Sequence, residues 1–95
     1  MKTIPSQYID FVTSEEERTV EDWANFRKQV RTNLDNNQRV VLSIFNFIYT
    51  DWKSPYNDMT DQYDDVKSEI NKLSTDKLAY LDKLLHKYNL NRDYL

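Results

Sequence analysis

Residues 39–53 read RVVLSIFNFIYTDWK, and the fold turns on whether this stretch is a strand, a membrane segment or a helix. Its β-branched and aromatic content suits a strand. The polar residues decide otherwise. Arg39, Ser43, Asn46, Thr50 and Lys53 recur at steps of four, three, four and three. A strand would scatter them over both faces. A helix, turning about 100° per residue, gathers them into a stripe about 80° wide. Only Asp51 intrudes on the apolar remainder. The spacing predicts a helix from about Gln38 to Trp52, capped by Asn36 or Asn37.

The apolar arc of that helix spans roughly 220°, far more than the stripe of about 100° that a surface helix needs. Val41, Phe45, Ile48 and Trp52 centre it. Val40 and Phe47 flank one edge, Leu42 and Tyr49 the other. Either neighbours cover the arc on three sides, or one edge stays open. An open edge would form a homodimer or hold another protein, with aromatic side chains as anchors.

Working outward, the polar run from Asn33 to Asn37 closes a preceding helix over about 19–34. Thr19 and Asp22 suit a capping box at its start. Val20, Trp23, Ala24, Val30 and Leu34 form its expected packing face. Trp23 and Phe26 read as core, with Phe26 toward the edge. Glu21 and Asp22 early, and Arg27, Lys28 and Arg31 late, complement the helix dipole. Before the acidic run Glu15–Glu17, Ile4, Tyr8 and Phe11 predict a short helix over about 5–12, with Pro5 in its first helical position.

Downstream, Ser54 and Pro55 suit the start of a helix over about 55–73. Tyr56, Met59, Tyr63, Val66, Ile70 and Leu73 form a narrow seam of alternating threes and fours. The step of five from Leu73 to Leu78 breaks it. Ser74, Thr75 and Asp76 then read as a turn and cap, followed by a helix over about 76–88 with Leu78, Leu81, Leu85 and Tyr88 on one face. An antiparallel αα-hairpin is preferred to one long helix. The tail should leave the helix at Asn89 or Asn91, with Leu90, Tyr94 and Leu95 folding back.

Composition agrees. The 95 residues contain no glycine, two prolines and no cysteine. Hairpin turns in a β-rich domain need glycine, whereas helices joined by polar loops do not. Asparagine must then supply any left-handed helix end. The expectation is an all-α, single-domain bundle of four to five helices over residues 1–95. Absent cysteine excludes disulfides and thiolate chemistry. No apolar leader is evident near residue 1 and no run is long enough to span a bilayer. A cytoplasmic, non-membrane protein is expected.

Catalytic and metal motifs find little support. His86 is the single histidine, without the spacing of a zinc or di-iron site. It is read as an ordinary residue near a helix C-terminus, where it can pair with Asp82 four positions earlier. No nucleophile elbow or EF-hand loop is possible without glycine. No cofactor, metal or catalytic residue is expected, and the chain is read as not an enzyme.

Three surfaces remain as candidate partner sites. Asp58, Asp61, Asp65 and Glu69 share one helix face, either solvated or a dock for a basic partner. The apolar edges Val40 with Phe47, and Leu42 with Tyr49, are the second. Arg27, Lys28, Arg31 and Arg39 are the third, for phosphate or an acidic protein. The favoured reading is a protein–protein interaction module acting as a regulator, inhibitor or accessory subunit. A phage or mobile-element origin is the expectation for such a small protein. The net charge of -3 argues against non-specific nucleic-acid binding. A nucleic-acid binder using the Arg27–Arg39 region, and an acidic decoy for a nucleic-acid groove, are the alternatives.

Overall fold

The computed structural model describes residues 1–53 and 67–92. Among them every regular element is a helix and none is a strand, so the fold is all-α. The elements are α1 (Ser6–Thr13), α2 (Val20–Asn33), α3 (Asn36–Lys53) and α4 (Thr75–Lys87), with a further helical stretch at 67–71. Contacts divide the chain into two compact units, Met1–Leu42 and Ser43–Leu95, and the division falls inside α3.

In the first unit, Pro5 sits one position before α1 rather than inside it, with extended ψ of 140°. Its carbonyl accepts the Tyr8 amide at 3.1 Å. Ile4, Tyr8, Ile9 and Val12 are buried, the last three on one face of α1. The Tyr8 hydroxyl accepts a hydrogen bond from Asn33 Nδ2 at 3.1 Å, tying α1 to the end of α2.

Thr19 and Asp22 form the expected capping box. The Asp22 amide donates to Thr19 Oγ1 at 3.1 Å, and the Thr19 amide donates to the Asp22 carboxylate at 3.0 Å. The packing face of α2 is rotated from the one expected. Val20 and Ala24 are exposed, while Asp22, Trp23, Phe26 and Val30 are half-buried. No side chain within α2 is fully buried. Two aromatic rings, not the small residues, determine which side turns inward, since their burial removes the most apolar area from water.

α3 starts two residues earlier than predicted, and its cap is Asp35 rather than Asn36 or Asn37. The Gln38 amide donates to Asp35 Oδ1, and the Asp35 amide to Gln38 Oε1, each at 2.8 Å. This is a second capping box, with Asp and Gln in the two roles. Gln38 is itself buried, and its Nε2 donates to the Thr3 carbonyl at 2.8 Å. A single side chain thus starts a helix and pins the N-terminal arm.

In the second unit, Ile44, Phe45, Ile48 and Tyr49 of α3 are buried, as are Ile70, Leu81, Leu85 and Leu90. Tyr88 closes an aromatic group, 5.6 Å from Phe45 and 5.9 Å from Tyr49 between ring centroids. The chain leaves the helix at 72–74, where Ser74 is extended (ψ 163°), and re-enters it at Thr75. One continuous helix through this region is thereby excluded. The Ser74 hydroxyl makes no capping bond; its carbonyl accepts the Leu78 amide at 3.0 Å.

α4 ends as the glycine-free composition required. Asn89 adopts a positive φ of 60°. The Leu90 amide reaches back to the Leu85 carbonyl at 2.9 Å, and the Asn89 amide to His86 at 3.1 Å. This is a Schellman ending with asparagine in the glycine position. Leu90 folds back and is buried. Tyr94, Leu95, and the seam residues Tyr56, Met59, Tyr63 and Val66 lie outside the described residues, as do Ser54 and Pro55.

Candidate functional site

α2 presents two contrasting sides. At about 100° per residue, Asp22, Trp23, Phe26 and Val30 fall within an arc of about 100° and face inward. Val20, Ala24, Arg27, Lys28 and Arg31 fall within a second arc of similar width on the outer side. All five of these are exposed, Val20 to 85%. The outer face is therefore apolar over its first turn and basic over its last two. Arg27, Lys28 and Arg31 make no ion pair, hydrogen bond or ring contact among the described residues, whereas Lys72, Arg18 and Arg92 are each paired.

The inner side is an aromatic cluster. Phe11 of α1 stacks on Phe26 at 4.2 Å and 7°. Trp23 meets Phe11 edge-on at 5.0 Å and Phe26 at 5.8 Å. The Arg18 guanidinium lies 4.2 Å from the Phe11 centroid, a cation–π contact. Arg18 also pairs loosely with Glu16 at 3.8 Å. Its enclosed Nε has no hydrogen-bond partner. Phe11, Asp22, Asn25, Phe26 and Gln29 line a cleft of about 180 Å³. Pockets for small ligands run to about 300–1,000 Å³, so this cleft is smaller than a typical metabolite site.

Asp22 at the cleft rim is already committed. The Thr19 backbone and hydroxyl hold its carboxyl below the usual aspartate range, with a smaller contribution from the nearby Arg18 cation. It is an ionised helix cap, a poor candidate for proton transfer at neutral pH.

The three surfaces expected from sequence fare differently. Of the acidic face, Glu69 is exposed and pairs with Lys72 at 3.5 Å, while Asp58, Asp61 and Asp65 lie outside the described residues. Of the apolar edges on α3, Leu42 and Tyr49 are buried, so that edge faces the interior and is no open contact surface. The wide arc needed covering on this side. Val40 and Phe47 are half-buried. Of the basic set, Arg27, Lys28 and Arg31 share one face of α2. Arg39 does not join them, being half-buried on α3 with its Nε enclosed and unbonded.

The expected Asp82–His86 pair is not formed. Asp82 instead binds Arg92, Nε to Oδ1 at 2.6 Å and Nη2 to Oδ2 at 3.1 Å. The left-handed turn at Asn89 carries the tail back toward α4, and a planar guanidinium matches a carboxylate with two bonds where imidazole offers one. His86 is exposed in the last turn of α4. Sequence reasoning also missed Val20 as an exposed apolar residue. The signal was there: Val20 is the first helical residue after its cap, where no preceding turn can cover it.

Among the described residues, no group of three or more His, Cys, Asp or Glu side chains could hold a metal ion, and no helix is long and apolar enough to cross a membrane. Fold and surface together define a small all-α protein whose second helix carries an exposed face, half apolar and half basic. No protein-family model, curated protein or solved structure matches the chain.

Proposed function

We propose that this chain is a non-catalytic protein-interaction module, acting in the cytoplasm as a regulator, inhibitor or accessory subunit, and that α2 is the helix that meets its partner. The observation carrying this reading is the exposure of α2. Among the described residues, α1, α3 and α4 each bury at least two side chains, whereas α2 buries none. A helix 14 residues long that leaves a valine at its first position 85% exposed has apolar surface to spare. Aromatic side chains held half-buried beside it are natural interface anchors.

The test compares the full chain with its Val20→Glu variant in affinity capture from the source cell. Glutamate in the first turn of a helix suits the dipole, so the variant should fold as the parent does. A partner retained by the parent and lost by the variant, with unchanged circular dichroism and melting, is the expected result. Equal recovery by both proteins, or no partner for the parent, would overturn the reading.

A further inference from the structure

Resting on that reading, we infer that the segment docking on α2 is an acidic amphipathic helix of another protein, lying antiparallel to α2. The outer face sets both halves of this requirement. Val20 and Ala24 offer an apolar patch at the N-terminal end, and Arg27, Lys28 and Arg31 offer three cations beyond it, all exposed and without partners among the described residues. The span from Val20 to Arg31 is about 16 Å, three turns of helix. A helix of matching length places apolar side chains against the first turn of α2 and carboxylates against its last two. Antiparallel alignment puts those carboxylates in the partner's N-terminal turns, where its own dipole favours them.

Charge decides against the other occupants. A second copy presenting the same face would bring six cations from the two outer faces against only the two flanking Glu21 carboxylates, a net repulsion. A nucleic acid would engage the three cations, each worth about one unit of salt slope. It would leave Val20 and Ala24 facing phosphate and water, and the chain as a whole carries a net charge of -3. A carboxylate-bearing amphipathic helix uses the whole face.

The experiment uses the full chain, labelled with 15N, and three synthetic helical peptides of about 15 residues. The first carries glutamates in its N-terminal half and leucines on the same face of its C-terminal half. The second has the same residues in reversed order. The third replaces the glutamates by lysine. Single-stranded and duplex oligonucleotides are the fourth arm. The expected result is amide shifts confined to residues 20–31 with the first peptide and weaker binding of the second. The lysine peptide stays silent, and the Arg27→Glu, Lys28→Glu, Arg31→Glu triple variant loses at least tenfold in affinity. Equal binding of the lysine peptide, tighter binding of an oligonucleotide, shifts elsewhere in the chain, or no binding by any peptide overturns the inference. If the peptides fail while Val20→Glu still abolishes capture of the natural partner, the inference alone falls. If that capture is also insensitive to Val20, the interaction reading falls with it.

Discussion

Gln38 and Thr3 lie 35 residues apart in sequence and are joined by one hydrogen bond of 2.8 Å, from the side-chain Nε2 of Gln38 to the Thr3 carbonyl. The same side chain accepts the Asp35 amide with its oxygen, so its two ends perform separable tasks. Gln38→Glu keeps the acceptor and removes the donor. Helix α3 should keep its start, while the arm through Ile4 exchanges its amides faster. Gln38→Leu removes both and should cost about 1–3 kcal/mol. Hydrogen exchange by mass spectrometry, with urea unfolding for the total, distinguishes the two variants.

Asn89 is the residue with positive φ among those described. For most residues this conformation costs about 1–2 kcal/mol, which asparagine partly escapes and glycine wholly escapes. Asn89→Ala should therefore lower stability by about 1 kcal/mol, and Asn89→Gly should be neutral or stabilising by a few tenths, about the margin between the two residues. Thermal melts of the two variants side by side give the order, and an alanine variant as stable as the parent would contradict the assignment.

The Asp82–Arg92 pair is bidentate but only partly shielded, with side-chain exposures of 30% and 38%. Solvent screening limits its worth to about 0.5–1 kcal/mol. A double-mutant cycle on Asp82→Asn and Arg92→Gln should return a coupling in that range, shrinking in high salt. Asp82 with His86 should show none.

Asp22 links stability to acidity. Its folded pKa is lowered, chiefly by the Thr19 backbone and hydroxyl, below an unfolded value of about 3.9. A depressed carboxyl stabilises the fold fully above the unfolded value and loses that contribution as pH falls through the folded one. The parent should thus lose α2 helicity progressively below about pH 4. Thr19→Ala should flatten that dependence while lowering stability at neutral pH. Titration of the Asp22 carboxyl carbon by NMR reads the shift directly.

Much of this fold was legible. The polar stripe of residues 39–53 identified a helix because a period of 3.6 cannot be mistaken for a period of 2 once five polar residues agree. The Thr19–Asp22 cap followed from local chemistry alone, and so did an asparagine ending for α4, although Asn89 and Asn91 both fitted. The orientation of α2 did not. Val20 and Ala24 fitted the apolar pattern as well as Phe26 did, and the choice was made by Phe11, on another helix, stacking on Phe26. The Asp35 cap was missed for a related reason, since Asp35, Asn36 and Asn37 can all cap a helix and Gln38 selects among them from three residues ahead. Pairing of Asp82 with Arg92 needed the path of the tail, which periodicity does not contain. The basic face was legible as residue types, but its separation from Arg39 was not.

The absence of any fully buried side chain in α2 has a consequence for its susceptibility to cleavage. An element held by half-buried contacts opens at lower free energy than its neighbours. Arg27, Lys28 and Arg31 along it are exposed, and trypsin cleaves the peptide bond that follows each of them. Digestion should nick the chain there first, and a ligand seated over those side chains should slow the nicking. The rate of a single proteolytic cut thus becomes an occupancy gauge for the helix, readable on a gel before any partner has been identified.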